Sequence, residues 1–200
     1  SQSSGMIGFS AGYNQTAYNM KGYDPSPYFP FAVRASIGAY GLQIGPDFWT
    51  GLSGPSFKFN DSTGTEIYRE DFKDTYFGGM IRAHAGDDPH DFTVTFRAGA
   101  GIFFSKKKID YSEYFLASNP ALADFTYKFD NSLGFNGAFG FSIPIGSLKI
   151  HEVGKNYGNL HLTIEGVFNY NPRKYSGVTN YHTSWGVQAG LCYVLFNFFE

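Results

Sequence analysis

Cysteine is nearly absent from this chain of 200 residues, in which Cys192 is the single example. One thiol can build neither a disulfide framework nor a zinc site made of several cysteines. Charged residues are also few, at 16%, and the net charge of -2 creates no basic field that would gather a nucleic-acid backbone. The composition therefore excludes disulfide-rich and cysteine–metal classes and argues against nucleic acid as a partner.

Long apolar runs are missing as well. No stretch approaches the ~18 consecutive apolar residues that a membrane helix needs. In a membrane-spanning β-strand, however, only every second side chain faces lipid, so no such run is needed. The chain is instead rich in aromatic residues, at 20%, and in glycine, with 25 copies, a mixture typical of strands and turns. We expect an all-β protein with one domain over residues 1–200.

Apolar residues alternate with small or polar ones in a series of segments, each about as long as a tilted membrane strand. In the clearest segment, Phe92, Val94 and Phe96 alternate with Thr93 and Thr95. The segments cover residues 7–14, 31–40, 48–59, 77–84, 92–102, 133–143, 160–170 and 185–195. This pattern predicts a closed, antiparallel, up-and-down transmembrane β-barrel of about eight strands.

The connections between these segments alternate in length. Long polar links are predicted at 15–30, 61–74, 106–130 and 171–183, and short turns at 45–47 and 86–91, with 144–159 as a longer exception. Gly54 and Pro55 interrupt the third segment, which indicates an edge-like irregularity or a bulge. Long loops at one end, with short turns and both termini at the other, are typical of outer-membrane barrels.

The polar face of the segments is expected to point into the barrel. It holds many glycines, which fit a narrow interior and would stabilise nothing on an exposed surface. It also holds charges that would cost several kcal/mol in lipid. The predicted lumen cluster consists of Arg34, Arg82, Arg97, Glu165, His84, His161 and Gln188. Structural filling is favoured over a selective pore or proton relay, because eight strands rarely leave a continuous channel.

The chain resembles the small eight-stranded outer-membrane barrels of the OmpA and OmpX kind, in particular the Tyr- and Asn-rich versions of Bacteroidota. The alternating pattern carries this resemblance over almost the whole chain. Leu191, Tyr193, Leu195 and Phe199 also resemble the terminal strand that such barrels offer to their assembly machinery, although Glu200 departs from the usual final aromatic. The resemblance implies a multi-pass protein of the Gram-negative outer membrane. The start at Ser1 indicates a mature form whose signal peptide has been removed.

Two short motifs are candidates for chemistry. His182 and Ser184 are two residues apart, so they share one side of a strand, and small barrels that deacylate lipid A have a similar pair near the outer rim. No acid that would orient the imidazole can be named. Asp88, His90 and Asp91 offer ligand types that suit a metal, together with Asp87, but a polar turn explains them equally well. We therefore predict no metal site and no cofactor.

Lysines in the longest link suggest a lipid contact. Lys106, Lys107 and Lys108 could bind the phosphates of lipopolysaccharide through charge-assisted contacts, with ordinary solvated loop charge as the alternative. Our leading hypothesis is a non-enzymatic barrel that presents its long loops to other envelope proteins, as an accessory subunit of an envelope complex. Two alternatives stay open: a lipid A hydrolase that uses His182 and Ser184, and a narrow small-solute pore.

Overall fold

A computed structural model describes residues 3–18, 23–86, 88–148, 158–175 and 178–196. These residues form ten strands and one short helix. In chain order they are β1 (Ser3–Tyr18), β2 (Pro27–Ala39), β3 (Leu42–Ser53), β4 (Ser56–Asn60), β5 (Glu66–His84), β6 (Thr93–Tyr111), α1 (Glu113–Ser118), β7 (Phe125–Lys128), β8 (Ser132–Leu148), β9 (Gly158–Tyr175) and β10 (Val178–Phe196). Within the described residues, no helix has the length and apolar character to cross a membrane.

The eight long strands close into a ring in which every strand is antiparallel to both neighbours. The ring runs β1–β2–β3–β5–β6–β8–β9–β10, and β10 pairs back with β1. The closed, antiparallel, up-and-down barrel of eight strands is thereby confirmed. The remaining two strands are short additions, since β4 pairs with β5 beyond the end of β3, and β7 pairs with β6 beyond the end of β8.

Apolar side chains cover the outside of the ring, because every second residue of a strand faces outward. A soluble protein rarely exposes so many large apolar groups in one continuous band, so this surface is built for lipid. We call this band the apolar belt. Its exposed members include Ile7, Phe9, Ile37, Ile44, Phe77, Ile81, Phe96, Ile102, Leu133, Phe135, Phe139, Phe168, Trp185, Val187 and Leu191.

The strands are longer than the alternation predicts. Residues predicted as the links 61–74 and 171–183 are mostly strand, and so are the first residues of the links 15–30 and 106–130. β5 and β6, for example, stay paired from His84 and Thr95 as far as Tyr68 and Tyr111. Beyond the apolar belt the outward residues become polar, as at Asp71, Lys73 and Thr75 of β5, so the alternation fades while the backbone pairing continues. We call this end of the barrel the loop end, and the opposite end the turn end.

The predicted turn at 45–47 is wrong, because those residues lie inside β3. The reversal occurs instead at Tyr40 and Gly41. The pairing of β3 with β2 stops at Asp47 and resumes at Ile44, so Pro46 lies in a local interruption of the ladder, which is where proline is tolerated in a strand.

The third predicted segment, 48–59, is two strands rather than one. β3 ends at Ser53 and β4 begins at Ser56, with a cis peptide bond between Gly54 and Pro55. In the predicted connection 144–159, β8 extends to Leu148 and β9 begins at Gly158, while the residues between them lie outside the described part. Predictions that involve Ser1, Asp87, Phe199 and Glu200 also fall outside it.

Candidate functional site

Five charged side chains from five strands meet at the centre of the barrel. Asp47 of β3 lies between two arginines, with its Oδ1 2.8 Å from Arg34 Nε and its Oδ2 3.2 Å from Arg97 Nη1. Arg97 also reaches Glu165 Oε2 at 3.1 Å, and Arg82 Nη2 lies 3.9 Å from Glu165 Oε1. All five are buried. We call this group the central ion cluster. It joins three cations to two anions in a chain of pairs.

Neutral side chains add hydrogen bonds to the cluster. Asn136 donates to Asp47 at 3.2 Å and accepts from Arg97 at 3.4 Å. Arg34 donates to the Ser10 hydroxyl at 2.9 Å and to the Gln188 side-chain oxygen at 3.4 Å. Buried ions are tolerated only when partners replace the water that they lose, and here most partners are charged or strongly polar. The cluster therefore fills the centre of the barrel as a bonded network.

Asp47 is the member of this cluster that sequence reasoning missed. Gly45, Pro46 and Asp47 are strong turn residues, and that local signal hid the position of the aspartate in a strand. A signal was present nonetheless, since Leu42, Ile44, Phe48 and Leu52 keep an apolar residue on the outward face of β3. That periodicity places Asp47 on the inward face.

An aromatic layer covers the central ion cluster on its loop side. Trp49 stacks between Tyr28 and Tyr76, with ring centroids 6.1 Å and 6.2 Å away, and Phe103 packs edge-on against Trp49 at 5.7 Å. Phe103 fits because Gly134 faces it, and a Cβ on that glycine would overlap the ring. Large rings thus pack over small residues and leave little space in this part of the lumen.

The two predicted lumen histidines lie at the turn end, apart from the central ion cluster. His84 stacks on Tyr40 with centroids 4.4 Å apart, and its Nδ1 lies 2.7 Å from the Tyr40 carbonyl oxygen. His161 Nδ1 lies 2.8 Å from the Ser142 hydroxyl. The buried apolar residues around them are Met6, Cys192, Val194 and Phe196. Of the predicted lumen residues, the structure therefore brings together Arg34, Arg82, Arg97, Glu165 and Gln188, and it places the histidines elsewhere.

His182 and Ser184 both face the interior of the barrel. Ser184 is 1% exposed. Its hydroxyl lies 2.6 Å from the Tyr28 hydroxyl and accepts a bond from Asn169 at 3.3 Å. His182 is buried two positions nearer the loop end, within electrostatic reach of Asp74 and Arg173. Ser184 is thus held in the interior packing, where an acyl chain from the surrounding lipid has no access.

The three lysines predicted in the longest loop lie in β6 and point to different sides. Lys107 faces inward, where its Nζ lies 3.1 Å from Glu70, which also accepts a bond of 2.7 Å from the Tyr23 hydroxyl. Lys108 faces outward and pairs with Asp110 at 2.7 Å. This contact raises the pKa of Lys108. Lys106 is exposed on the outward face. The run of three therefore does not form one common cation site.

Beyond the apolar belt, four strands continue as a small sheet. It consists of β4, residues 66–74 of β5, residues 105–111 of β6, and β7. We call it the outer sheet. The helix α1 lies between β6 and β7 in the chain. Its N-cap is Ser112, whose hydroxyl accepts a hydrogen bond from the Phe115 amide. The outer sheet replaces much of what the sequence predicts as flexible loop.

Comparison with solved structures places this architecture among known proteins. Ail, the attachment invasion locus protein of Yersinia pestis, solved in complex with the heparin analogue sucrose octasulfate, is 15% identical; the match covers 94% of this chain and 98% of Ail, with a TM-score of 0.57. Neisserial surface protein A is 14% identical over 94% of this chain and 95% of its own, with a TM-score of 0.53. The fold is that of a small outer-membrane β-barrel. No protein-family model and no curated protein matches the chain.

The chemistry open to this outer-membrane barrel follows from its filled interior. The central ion cluster, the aromatic layer and the packed turn end follow one another along the axis. The cavity beside Arg34, Arg82 and Glu165 has a volume of about 10 Å³, which is room for about one water molecule. The described residues contain no group of three or more potential metal-ligating side chains. Among the described residues, the loop end has exposed side chains beyond the apolar belt.

Proposed function

We propose that the protein is a non-enzymatic outer-membrane barrel that presents its outer sheet to another envelope protein. The observation that carries the proposal is the outer sheet itself, a paired and ordered surface beyond the apolar belt. In this role the barrel is an anchor, and the chain is an accessory subunit of an envelope complex. The proposal includes residence in the outer membrane of a Gram-negative bacterium, for which the Tyr- and Asn-rich composition favours Bacteroidota, after removal of a signal peptide.

Exposed apolar side chains on the α1–β7 side of the outer sheet support a protein partner. Tyr114 is 66% exposed, and Leu122 and Phe125 are also exposed. These residues lie beyond the apolar belt, so contact with lipid tails does not explain them. Rigid aromatic groups are the side chains that most often anchor protein interfaces.

The edge of β7 gives a partner a second means of attachment. In the described parts of the chain β7 pairs with β6 and is the last strand in the order of the sheet. A strand from another protein can add to such an edge through main-chain hydrogen bonds. Exposed aromatic residues beside this edge strand therefore fit a binding surface for an extended segment of a partner.

The filled interior and the burial of Ser184 direct the proposal away from transport and hydrolysis. A pore requires a continuous aqueous path, and the central ion cluster occupies the lumen where that path would run. A hydrolase requires a nucleophile that the substrate can reach, and the Ser184 hydroxyl is bonded inside the barrel.

The test is site-specific photo-crosslinking in native cells. A photoreactive residue replaces Thr126, which is exposed on β7, and in a matched control replaces Ala85, which is exposed at the turn end. After purification in mild detergent, we expect one protein to be crosslinked from position 126 and not from position 85. Tyr114→Ala should reduce the yield of that product. Recovery of the barrel alone, with no crosslink from position 126, would refute the proposal.

A further inference from the structure

Three lysines stand side by side on the outer face of the barrel, just beyond the apolar belt. In the register of the strands, Lys106 of β6 lies directly opposite Lys73 of β5 on one side and Lys128 of β7 on the other. All three are exposed. Residues opposite one another in antiparallel strands point to the same face, so the three ammonium groups share one surface. We call this group the lysine row.

The lysine row differs from the rest of the outer sheet in its charge pattern. In the neighbouring rows, Lys108 is opposite Asp71, and Arg69 is opposite Asp110 on one side and Lys58 on the other. Glu66 lies 3.8 Å from Lys58 and 3.4 Å from Arg69, so that row has carboxylates of its own. None of the ion pairs among the described residues includes a member of the lysine row. Like charges directly opposite one another destabilise a sheet. An anion from outside the chain would remove that repulsion, whereas the neighbouring rows are already neutralised from within.

The height of the lysine row matches the headgroup level of a bilayer. Lys73 is ten residues from Ala83, which lies at the turn end of β5. Ten residues span about 33 Å of strand at ~3.3 Å per residue, which is about 25 Å of height when the strand is tilted by ~40°. That height equals the apolar band of an outer-membrane barrel. The row therefore stands where the lipid tails end and the phosphates begin.

A groove beside the lysine row has the mixed character that a phospholipid-like molecule requires. Its volume is about 420 Å³. The three lysines line it together with Phe104 and Phe129, and Thr75 and Asn131 add polar groups. Phe104 is itself exposed at the edge of the apolar belt. Lysine is a common ligand of phosphate, and an adjoining apolar wall suits an acyl chain.

We propose that Lys73, Lys106 and Lys128 bind the phosphorylated headgroup of lipopolysaccharide in the outer leaflet, with its acyl chains along Phe104. The lipid is favoured over free phosphate because the lysine row and the apolar belt adjoin, so that one molecule can contact both. The site is distinct from the run Lys106, Lys107 and Lys108, of which the structure turns one member inward. It is also independent of protein binding by the outer sheet, and each can fail without the other.

The test is a titration of the detergent-solubilised barrel with diphosphoryl lipid A, followed by native mass spectrometry. One variant combines Lys73→Gln, Lys106→Gln and Lys128→Gln. Its matched control combines Lys58→Gln, Arg69→Gln and Lys108→Gln, which removes the same number of charges from the other rows of the outer sheet. We expect the first variant to lose affinity by about tenfold or more, and the control to stay within about twofold of the parent.

A second variant separates binding from folding. Lys106→Glu places a carboxylate between two ammonium groups, so the thermal midpoint in nonionic detergent should rise while lipid A binding falls. A role in stability alone would move both quantities in the same direction. Equal losses in the two triple variants would overturn the proposal, and so would unchanged binding in Lys106→Glu. Displacement of lipid A by millimolar inorganic pyrophosphate would overturn the assignment to a lipid.

Discussion

Neutralising Asp47 is the sharpest test of how the interior is held together. Asp47 is 0% exposed. One of its carboxylate oxygens lies 2.8 Å from Arg34, and the other lies 3.2 Å from Arg97 and accepts a hydrogen bond of 3.2 Å from Asn136. Asp47→Asn keeps the shape of the side chain and removes its charge, so three cations share one carboxylate. Breaking a buried ion pair by removing one partner costs about 3–5 kcal/mol, and we expect a loss of unfolding free energy in that range.

Three other variants calibrate this value. Glu165→Gln removes a carboxylate whose nearest arginine contacts are longer, at 3.1 Å and 3.9 Å, so its loss should be smaller than that of Asp47→Asn. Glu66→Gln breaks pairs with Lys58 at 3.8 Å and Arg69 at 3.4 Å on the outer sheet, and each exposed pair contributes at most about 1 kcal/mol. Adding Arg34→Gln to Asp47→Asn should recover part of the loss, because it removes a cation left without its carboxylate.

The assay is equilibrium unfolding in urea from lipid vesicles, followed by tryptophan fluorescence. Trp185 faces lipid from the apolar belt, and Trp49 is buried in the aromatic layer, so the emission reports both the departure from the membrane and the loss of the interior. A loss for Asp47→Asn no larger than that for Glu66→Gln would refute the reasoning. It would mean that water already solvates the centre of the barrel.

Three further outcomes follow from the same packing. Gly134→Val should cost about 1–3 kcal/mol by overpacking, because a Cβ there overlaps Phe103; urea unfolding measures this, and an unchanged midpoint would show that the aromatic layer is loose. Ser184→Ala should leave the acylation of lipid A in whole cells unchanged by mass spectrometry, and a shift toward more acyl chains would revive the hydrolase alternative. The parent protein should give no stepwise conductance in planar bilayers, and regular single-channel steps would show that the lumen opens.

The fold was predictable because the alternation depends only on which side of a strand meets lipid. At 93–102 that pattern matches the inward and outward faces of β6 residue by residue. Beyond the apolar belt, outward residues such as Lys73 and Thr75 are polar, so hydrophobicity no longer distinguishes the outward face of a strand from the inward one. The strands therefore extend past the predicted boundaries. Continued pairing between two strands is a property of both together, and one segment read alone does not reveal it.

The sites were predictable only in part, for a similar reason. Arg34, Arg82 and Arg97 are recognisable as inward charges from their own strands. Asp47 was hidden by a local turn signal that the longer period of β3 overrides. The lysine row could not be found in the sequence, because it depends on a register that aligns positions 73, 106 and 128 across three strands.

The central ion cluster also bears on how the chain assembles. Its charges come from β2, β3, β5, β6 and β9, so the network forms only when strands distant in the sequence face one another across the interior. An open, half-inserted sheet would hold guanidinium groups in hydrocarbon without their carboxylates, at a large cost in free energy. The charges of the interior are therefore neutralised only when these strands have curled around a common interior.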